Sequence, residues 1–429
     1  MTFFFRRFIF IICFFNFVFS VRTEPVEVCE RPVVSFEPSS AEASEAKRTF
    51  TTEQSRSIRT NGLEQNTHHK ESKKSPMPVR VLLSSCNENS HQLWQFQSEK
   101  GFFVHSVGCK KEKNIFFKNK ITIRAKKGYF LCNGKKVDHA IRVTPHSGHG
   151  TFDAIAYDGD FFIIPHKNEL LCVNQVDLED YIVAVLRTES WPGWPLEVNK
   201  VFAIACRSYV AFKIQEAQRT NRLFHVKNTN AHQTYKGRHD VQDLRHAVEQ
   251  TGGIVLGFDK KPILAMFDCC CGGVVPAHIA DFDFNKAPYL ARDYACFHCK
   301  QSSLYSWNIA YEHKAFEQVI KQYKKELHRL HGISITKKDK AGLVMEVKLK
   351  GHKEHHSISG KQLYSLLKEV KSFHFDVQIK SGKIVFSGRG FGHHIGLCQW
   401  GARQMVRDGW GFKSILQFYY PQTQFMKLV

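Results

Sequence analysis

The stretch that decides the fold runs from residue 188 to residue 195 and reads Thr-Glu-Ser-Trp-Pro-Gly-Trp-Pro. It places one carboxylate, Glu189, among aromatic, proline and glycine residues. Aromatic rings and helix ends exclude water from a carboxyl group, which raises its pKa and keeps it protonated near neutral pH. The stretch therefore predicts a general acid at Glu189. The same letters also fit a surface glutamate that precedes a proline-started helix.

Helices are predicted on both sides of this stretch. Asp177 to Leu186 carries an apolar stripe at helical spacing. Pro195 suits the first turn of a second helix, on which Lys200 and Arg207 share one face. We therefore expect the polar face of the second helix to present two cations near Glu189.

Two further motifs lie C-terminal to these helices. Residues 232–237 read His-Gln-Thr-Tyr-Lys-Gly, and residues 388–402 read Gly-Arg-Gly-Phe-Gly-His-His-Ile-Gly-Leu-Cys-Gln-Trp-Gly-Ala. His232 and Gln233 offer donors and acceptors for sugar hydroxyls or an acetamido group, and Tyr235 can stack or hydrogen-bond. The glycines of the second motif let the backbone pass close to a ligand. The second motif is therefore expected to be a loop that another chain or a ligand can approach closely.

The three ordered motifs resemble the stage II sporulation protein D family of cell-wall lytic enzymes, which includes LytB-like amidase enhancers. The family patterns are Glu-Met-Pro, Trp-Pro-x-Glu-Ala-x-Lys-Ala-Gln-Ala, Ala-Arg-Thr-Tyr, (Cys/His)-Gln-x-Tyr-x-Gly and Gly-Arg-Gly-Trp-Gly-His-Gly-Val-Gly-Met-Ser-Gln-Tyr-Gly-Ala. This chain departs from them at Ser190 (usually Met), Phe202 (Gln), His394 (Gly) and Cys398 (Ser). The likeness runs from about Val173 to the C-terminus.

The resemblance implies a lytic transglycosylase that cleaves the bond between N-acetylmuramic acid and N-acetylglucosamine in peptidoglycan, on glycan strands that an amidase has stripped of stem peptides. Glu189 would protonate the glycosidic oxygen. The sugar's own 6-hydroxyl would then close a 1,6-anhydro end, so that one acid replaces the two carboxylates of the usual glycoside hydrolase. The alternative is a non-catalytic cell-wall binding protein that enhances an N-acetylmuramoyl-L-alanine amidase.

The substrate-binding residues follow from the same resemblance. Lys200 and Arg207 would balance charge or hold an N-acetyl or lactyl group, since the planar fork of arginine suits a carboxylate. The other expected substrate-binding residues are His232, Gln233, Tyr235, Arg389, His393 and Gln399. A histidine beneath a glycine-rich turn also fits a purely structural role.

No metal or other cofactor is expected in catalysis. His393 and His394 are adjacent, and adjacent side chains of an extended segment point to opposite faces, so they cannot chelate one ion together. Some members of the family hold zinc near the His232 motif with additional Cys and His residues. Here the nearby candidates are His225, His232 and His239, without a cysteine among them, so we do not carry that metal over.

The chain has thirteen cysteines. In an oxidising compartment they are candidates for disulfides. The run Cys269–Cys271 and the pair Cys296 and Cys299 also fit zinc, because two cysteines two residues apart form half of a tetrahedral site. From the sequence, disulfides, free thiols and a structural zinc remain open.

Export is predicted from the N-terminus. Arg6 and Arg7 precede an apolar run from Phe8 to Phe19, and Val18 and Ser20 occupy the positions that a signal peptidase favours, so cleavage is expected after Ser20. The run is shorter than the ~20 residues that span a bilayer. We expect the periplasm or cell-wall space, with attachment to the inner membrane if the signal is not cleaved. The net charge of +21 suits an anionic cell wall, and no nucleic-acid-binding motif accompanies it.

The overall prediction is an α+β protein. We expect a signal peptide over residues 1–20, a disordered linker over 21–78 and a small β-rich domain over 79–172. The catalytic domain would span 173–429, with helices against a mixed or antiparallel sheet and a β-rich α/β insertion over 309–386. Strands are predicted at Ile254–Phe258 and Pro262–Phe267, and a helix from Phe316 to Leu330.

Overall fold

The computed structural model describes residues 77–87, 90–107, 114–323, 329–352 and 354–428. The predicted signal peptide and residues 21–76 of the predicted linker lie outside the described residues. Within these ranges, no helix combines the length and apolarity needed to cross a bilayer.

Twelve β-strands precede the first helix of the described chain. They are β1 (Val79–Asn87), β2 (Leu93–Gln97), β3 (Phe102–Ser106), β4 (Asn114–Phe117), β5 (Lys120–Lys126), β6 (Tyr129–Cys132), β7 (Lys135–Val137), β8 (Ile141–Pro145), β9 (His149–Phe152), β10 (Ile155–Asp158), β11 (Asp160–His166) and β12 (Glu169–Val176). Alternate residues face inward: in β5, Ile121, Ile123 and Ala125 are buried while their neighbours are not. Short turns with positive φ at Gly128 and Gly134 join β5 to β6 and β6 to β7, as expected for antiparallel pairs.

These strands form two sheets. One has the order β13-β1-β12-β11-β8-β3-β4, and the other has the order β10-β9-β2-β5-β6-β7. The short strand β13 (Val226–Lys227) pairs with β1 in parallel, so the first sheet also takes a strand from the C-terminal part of the chain. The predicted boundary at residue 172 falls inside β12, and one hydrophobic core continues from Val79 to Tyr420.

The helices are α1 (Leu178–Glu189), α2 (Leu196–Arg219), α3 (Gln242–Gln250), α4 (His313–Tyr323), α5 (Gly360–Leu366), α6 (Gln399–Arg407) and α7 (Phe412–Tyr419). Asp177 caps α1 by accepting a hydrogen bond from the N–H of Glu179. Helix α2 is buried over much of its length, and α1, α3 and α7 pack against it. The end of α1 is thereby held against a rigid central helix.

Beyond α3 the strands are β14 (Ile254–Phe258), β15 (Lys261–Pro262), β16 (Phe267–Asp268), β17 (Ser306–Glu312), β18 (Leu330–Lys338), β19 (Val344–Gly351), β20 (His355–Ser359), β21 (Phe375–Lys380), β22 (Lys383–Arg389), β23 (Leu397–Cys398) and β24 (Gln424–Lys427). The predicted strand over Pro262–Phe267 is wrong. Strand β15 closes a hairpin with β14, the chain then makes two tight turns, and β16 pairs in parallel with β23 in another sheet.

The segment of the predicted insertion has a hydrophobic cluster of its own. Sheets β17-β22-β21 and β18-β19-β20 cover it together with α4 and α5. The predicted helix up to Leu330 is too long, because α4 ends at Tyr323 and Leu330 begins β18. Apolar periodicity cannot distinguish the last turn of a helix from the start of a buried strand. The mixture of seven helices and several sheets in the described residues confirms the α+β class.

Candidate active site around Glu189

Glu189 is the last residue of α1, and its side chain is half-buried. The backbone N–H of Thr234 donates a hydrogen bond of 2.6 Å to its Oε1. Burial raises the pKa of Glu189 to about 7, although the hydrogen bonds from Thr234 act in the opposite direction. Near neutral pH the group is therefore divided between its acid and its base, while it still has contact with solvent.

The other two motifs hold the backbone around Glu189. The Gln399 Nε2 donates to the carbonyl oxygen of Glu189 at 2.8 Å. The Thr188 hydroxyl donates to the carbonyl of Thr234 at 2.5 Å. Residues 188–195, 232–237 and 388–402 are separate in the sequence, yet all three meet at Glu189.

A rigid aromatic loop follows Glu189. Trp191 and Trp194 stack with ring centroids 5.9 Å apart, and Trp400 meets Trp194 edge-on at 5.8 Å. The guanidinium of Arg403 lies 5.0 Å from the centre of the Trp400 ring. These ring contacts fix the conformation of the loop that directly follows Glu189.

Tyr209 is a further member of the candidate site, and no functional role was predicted for it from the sequence. It is half-buried on α2; burial raises its pKa, and the charges of Glu216 and Glu189 add to the effect. The ring of His232 packs edge-on against it, with centroids 6.5 Å apart. Burial, with help from Lys213 and other nearby cations, lowers the pKa of His232 to about 4, so this imidazole is neutral at pH 7. The signal for Tyr209 is its place at the end of the motif that follows Glu189.

The family assignment follows from sequence comparison with known proteins. The family model described as stage II sporulation protein matches residues 166–258. An uncharacterized protein of Brachyspira hyodysenteriae is 30% identical over 275 residues, which are 63% of this chain and 72% of that protein. The chain belongs to the stage II sporulation protein D family. The resemblance stated from the motifs is confirmed.

Named relatives agree with this family assignment. Stage II sporulation protein D of Bacillus amyloliquefaciens is 24% identical over 306 residues, covering 67% of this chain and 83% of that protein. The amidase enhancer of Bacillus subtilis is 25% identical over 347 residues, covering 68% of this chain and 48% of that protein. A model described as a domain of unknown function matches residues 286–396. The family match contains Glu189, Tyr209 and the 232–237 motif, whereas Gln399 lies beyond both matched ranges.

The prediction that Lys200 and Arg207 present two cations near Glu189 needs correction. Arg207 is fully buried and forms an ion pair of 2.6 Å with Glu179, and it also donates to the carbonyl of Ile254. A side chain with no exposed surface cannot hold a substrate group, so the prediction for Arg207 is wrong. Lys200 is bound to Glu197 at 2.8 Å and remains partly exposed; its contact with substrate stays a prediction.

Gln233 and Tyr235 are also buried, so the prediction that they contact sugar is wrong. Gln233 accepts from the hydroxyl of Tyr181 and donates to the carbonyl of Cys206, and the Tyr235 hydroxyl donates to Asn174. Burial alternates along residues 232–235. His232 and Thr234 lie on the outer side, while Gln233 and Tyr235 anchor the segment that presents the N–H of Thr234 to Glu189.

The glycine-rich motif places its polar residues differently. Arg389 is exposed, with a guanidinium nitrogen 2.9 Å from His374 Nε2. His393 is half-buried, and desolvation lowers its pKa to about 4. His394 is buried, and its backbone N–H donates to the carboxylate of Asp268 at 2.6 Å. Gln399 is almost completely buried and acts on the backbone of Glu189. Arg389 and His393 therefore remain candidates for substrate contact, whereas Gln399 is a positioning residue.

The metal that some family members hold near the His232 motif does not fit this chain. Both ring nitrogens of His225 lie 3.1 to 3.2 Å from donor nitrogens of Arg80. His239 Nε2 lies 2.7 Å from the carbonyl of Val183, and its Nδ1 accepts from the N–H of Val241. These imidazoles are committed to protein partners, so they cannot complete a metal site with His232.

Proposed function

We propose that this protein is a peptidoglycan lytic transglycosylase that cleaves the bond between N-acetylmuramic acid and N-acetylglucosamine, on glycan strands stripped of stem peptides. The observation that carries the proposal is Glu189, a half-buried glutamate whose pKa burial raises to about 7. A general acid works best when its pKa lies near the operating pH. The membership in the stage II sporulation protein D family adds the link to the cell wall.

In the proposed mechanism Glu189 accepts the N–H of Thr234 at Oε1 and carries the transferable proton on Oε2. It gives this proton to the glycosidic oxygen as the bond to the anomeric carbon of N-acetylmuramic acid breaks. The 6-hydroxyl of the same sugar then attacks the oxocarbenium-like centre and loses its proton to the Glu189 carboxylate. The product has a 1,6-anhydro end, and no water is consumed. The single carboxylate serves first as the acid and then as the base.

The surrounding residues support this cycle. The neutral imidazoles of His232 and His393 can hydrogen-bond to sugar groups without adding charge. Tyr209 is close enough for the charge of Glu189 to raise its pKa, so it belongs to the same electrostatic environment as the acid. The exposed Arg389 can pair with the lactyl carboxylate. The fixed positions of Thr234 and Gln399 keep the acid in one orientation throughout.

The deciding experiment is incubation of the purified protein with denuded glycan strands, followed by mass spectrometry for anhydromuramoyl ends. We expect these ends with the wild type and only traces with Glu189→Gln. Glu249→Gln is the matched control, because it makes the same chemical change on the exposed side of α3. Hydrolytic ends, or no products from the wild type, would contradict the proposal.

A second candidate function rests on the similarity to an amidase enhancer. In that case the protein binds the wall and stimulates an N-acetylmuramoyl-L-alanine amidase without cleaving glycan. The two functions differ in their dependence on Glu189. An enhancer would stimulate an added amidase equally well as wild type and as Glu189→Gln, whereas the transglycosylase would lose its own product in that variant.

The proposed location is the periplasm or the cell-wall space, where such a substrate lies. The supporting features are the N-terminal apolar run and the net charge of +21, which suits an anionic polymer. Detection of the mature protein in the exported fraction, starting after Ser20, would support this location. An uncut N-terminus in the membrane fraction would instead indicate attachment to the inner membrane.

A further inference from the structure

Four cysteines from three distant segments converge at one point of the core. Among the described residues, Cys271, Cys296, Cys299 and Cys398 form the one group of three or more ligand side chains close enough to hold a metal ion. All four sulfurs lie within 4.8 Å of one another, and all four residues are buried. The sequence spacing is compatible with zinc at the first three cysteines, whereas Cys398 is far from them in the sequence.

We propose that these four thiolates bind one structural zinc ion. A zinc ion with Zn–S bonds of about 2.3 Å in a tetrahedron separates its sulfurs by about 3.8 Å. Cys271 Sγ and Cys299 Sγ are 3.6 Å apart, far more than the ~2.05 Å of a disulfide bond. Cys296 and Cys299 have the two-residue spacing that is common in zinc sites. With four cysteines and no open position, the site is of the structural kind.

The surroundings of the sulfurs suit thiolates. Cys398 Sγ accepts the backbone N–H groups of Cys271 and Gly401, each at 3.3 Å. It also lies at the N-cap of α6, where the helix dipole favours negative charge. The hydroxyl of Tyr419 lies 3.1 Å from Cys296 Sγ and can donate to it. Such outer hydrogen bonds are a regular feature of metal centres.

Close packing around the sulfurs also explains a glycine. A Cβ atom at Gly401 would come within 3.0 Å of Cys296 Sγ and 3.2 Å of Cys398 Sγ, and closer still to the Tyr419 hydroxyl. The chain therefore passes the sulfur cluster with no side chain at this position. The backbone at Gly401 therefore packs directly against the space between the sulfur atoms.

The zinc ion would connect three segments of the chain between which there is little regular secondary structure. Cys271 follows β16, Cys296 and Cys299 lie in the irregular loop before β17, and Cys398 ends β23. Strands β16 and β23 contribute only two residues each to their sheet. The next residue after Cys398 is Gln399, which holds the backbone of Glu189. The ion would therefore stabilise the support of the active site without taking part in the chemistry.

The first test is elemental analysis of the purified full-length protein, with the thiols then counted by alkylation and mass spectrometry under non-reducing, denaturing conditions. We expect one zinc per chain and all four cysteines alkylated after chelation. Exchange with Co²⁺ should give the visible absorption of tetrahedral thiolate-bound cobalt. Metal-free protein, or disulfides among these four cysteines, would overturn the proposal. This test needs no variant and no activity assay, so its outcome is independent of the proposed transglycosylase function.

The second test is Cys398→Ser. Serine is a good N-cap and is the residue of the family pattern at this position, so the substitution preserves the helix cap and removes mainly the metal ligand. We expect zinc to fall well below one per chain and Tm to drop by roughly 10 °C. Cys172→Ser is the matched control, because it changes a fully buried cysteine of β12 outside the cluster; it should retain one zinc. Stoichiometric zinc in Cys398→Ser would overturn the assignment of the ligands.

Discussion

At the scale of single residues, Glu189 is distinguished by its protonation state. It is half-buried at the end of α1, and Thr234 holds one of its oxygens. Desolvation outweighs that hydrogen bond and raises the pKa to about 7. The residue can consequently donate a proton near neutral pH, and its environment makes activity and stability depend on pH in ways that can be measured.

Glu189→Gln should lower the rate of anhydromuramoyl product formation by at least about 10²-fold, because a general acid contributes roughly that factor. The kcat/KM of the wild type should fall as the pH rises through about 7, since the protonated form is the reactive one. The residual activity of the variant should lack this dependence. Product formation at the wild-type rate by the variant would exclude Glu189 as the acid.

Whereas Glu189→Gln should lower activity, the same substitution should raise the stability of the folded protein at higher pH. The folded-state pKa of Glu189 lies above the unfolded value, so the folded protein binds the proton more tightly and loses stability as the pH rises from about 4.5 to 7. Glu189→Gln removes this loss. The free energy of unfolding of the variant, relative to the wild type, should increase by on the order of 1–3 kcal/mol between pH 4 and pH 8. A difference that stays constant with pH in urea titrations would show that the pKa of Glu189 is not raised.

At the scale of elements, Arg207 connects α1, α2 and the start of β14. Its guanidinium pairs with Glu179 and reaches the carbonyl of Ile254. Arg207→Met should destabilise the protein by about 3 kcal/mol, because it leaves Glu179 partly buried without its partner. The double variant Glu179→Gln, Arg207→Met should recover part of this loss. Urea unfolding of the four proteins of this cycle measures the coupling.

The same variant also tests the correction made above for Arg207. If its role is structural, the Kd of the folded protein for glycan strands should match that of the wild type. A large increase in Kd with unchanged stability would return Arg207 to the substrate-binding residues.

At the scale of the whole molecule, the charge of +21 should govern the first contact with the wall. Denuded strands are anionic through their lactyl groups, and exposed charges are screened beyond ~8 Å at physiological ionic strength. Binding of these strands should therefore weaken steadily as salt is raised. A neutral chitooligosaccharide is the control. The same Kd at low and high salt would mean that the net charge plays no part in binding.

Catalysis itself should need no metal. Unfolding and refolding in a chelator should give a zinc-free protein with lower thermal stability, for the reasons given for the four cysteines. Well below its Tm, that protein should still form anhydromuramoyl ends at a rate near that of the holoprotein, with the same decline above pH 7. Loss of cleavage in a folded, zinc-free protein would show that the metal-free mechanism is wrong.

Local patterns in the sequence were sufficient to predict helices and strands and to identify Glu189 as the candidate acid. The apolar stripe from Asp177 predicted α1 to within three residues, and Pro195 predicted the start of α2 to within one residue, because helix periodicity and proline at a helix start are local properties. The predicted β-rich character of residues 79–172 matches strands such as β2, β5 and β11. The ordered motifs predicted the family.

The tertiary structure decided which of the marked residues can reach a ligand. Burial is a property of the packed chain. Arg207, Gln233 and Tyr235 were predicted to bind substrate because they match the family patterns, yet their partners Glu179, Tyr181 and Asn174 hold them in the core. The approach of Cys398 to Cys271, 127 residues away in sequence, likewise arises from the pairing of β23 with β16. Sequence spacing carries local geometry, whereas contacts between distant segments depend on how the whole core packs.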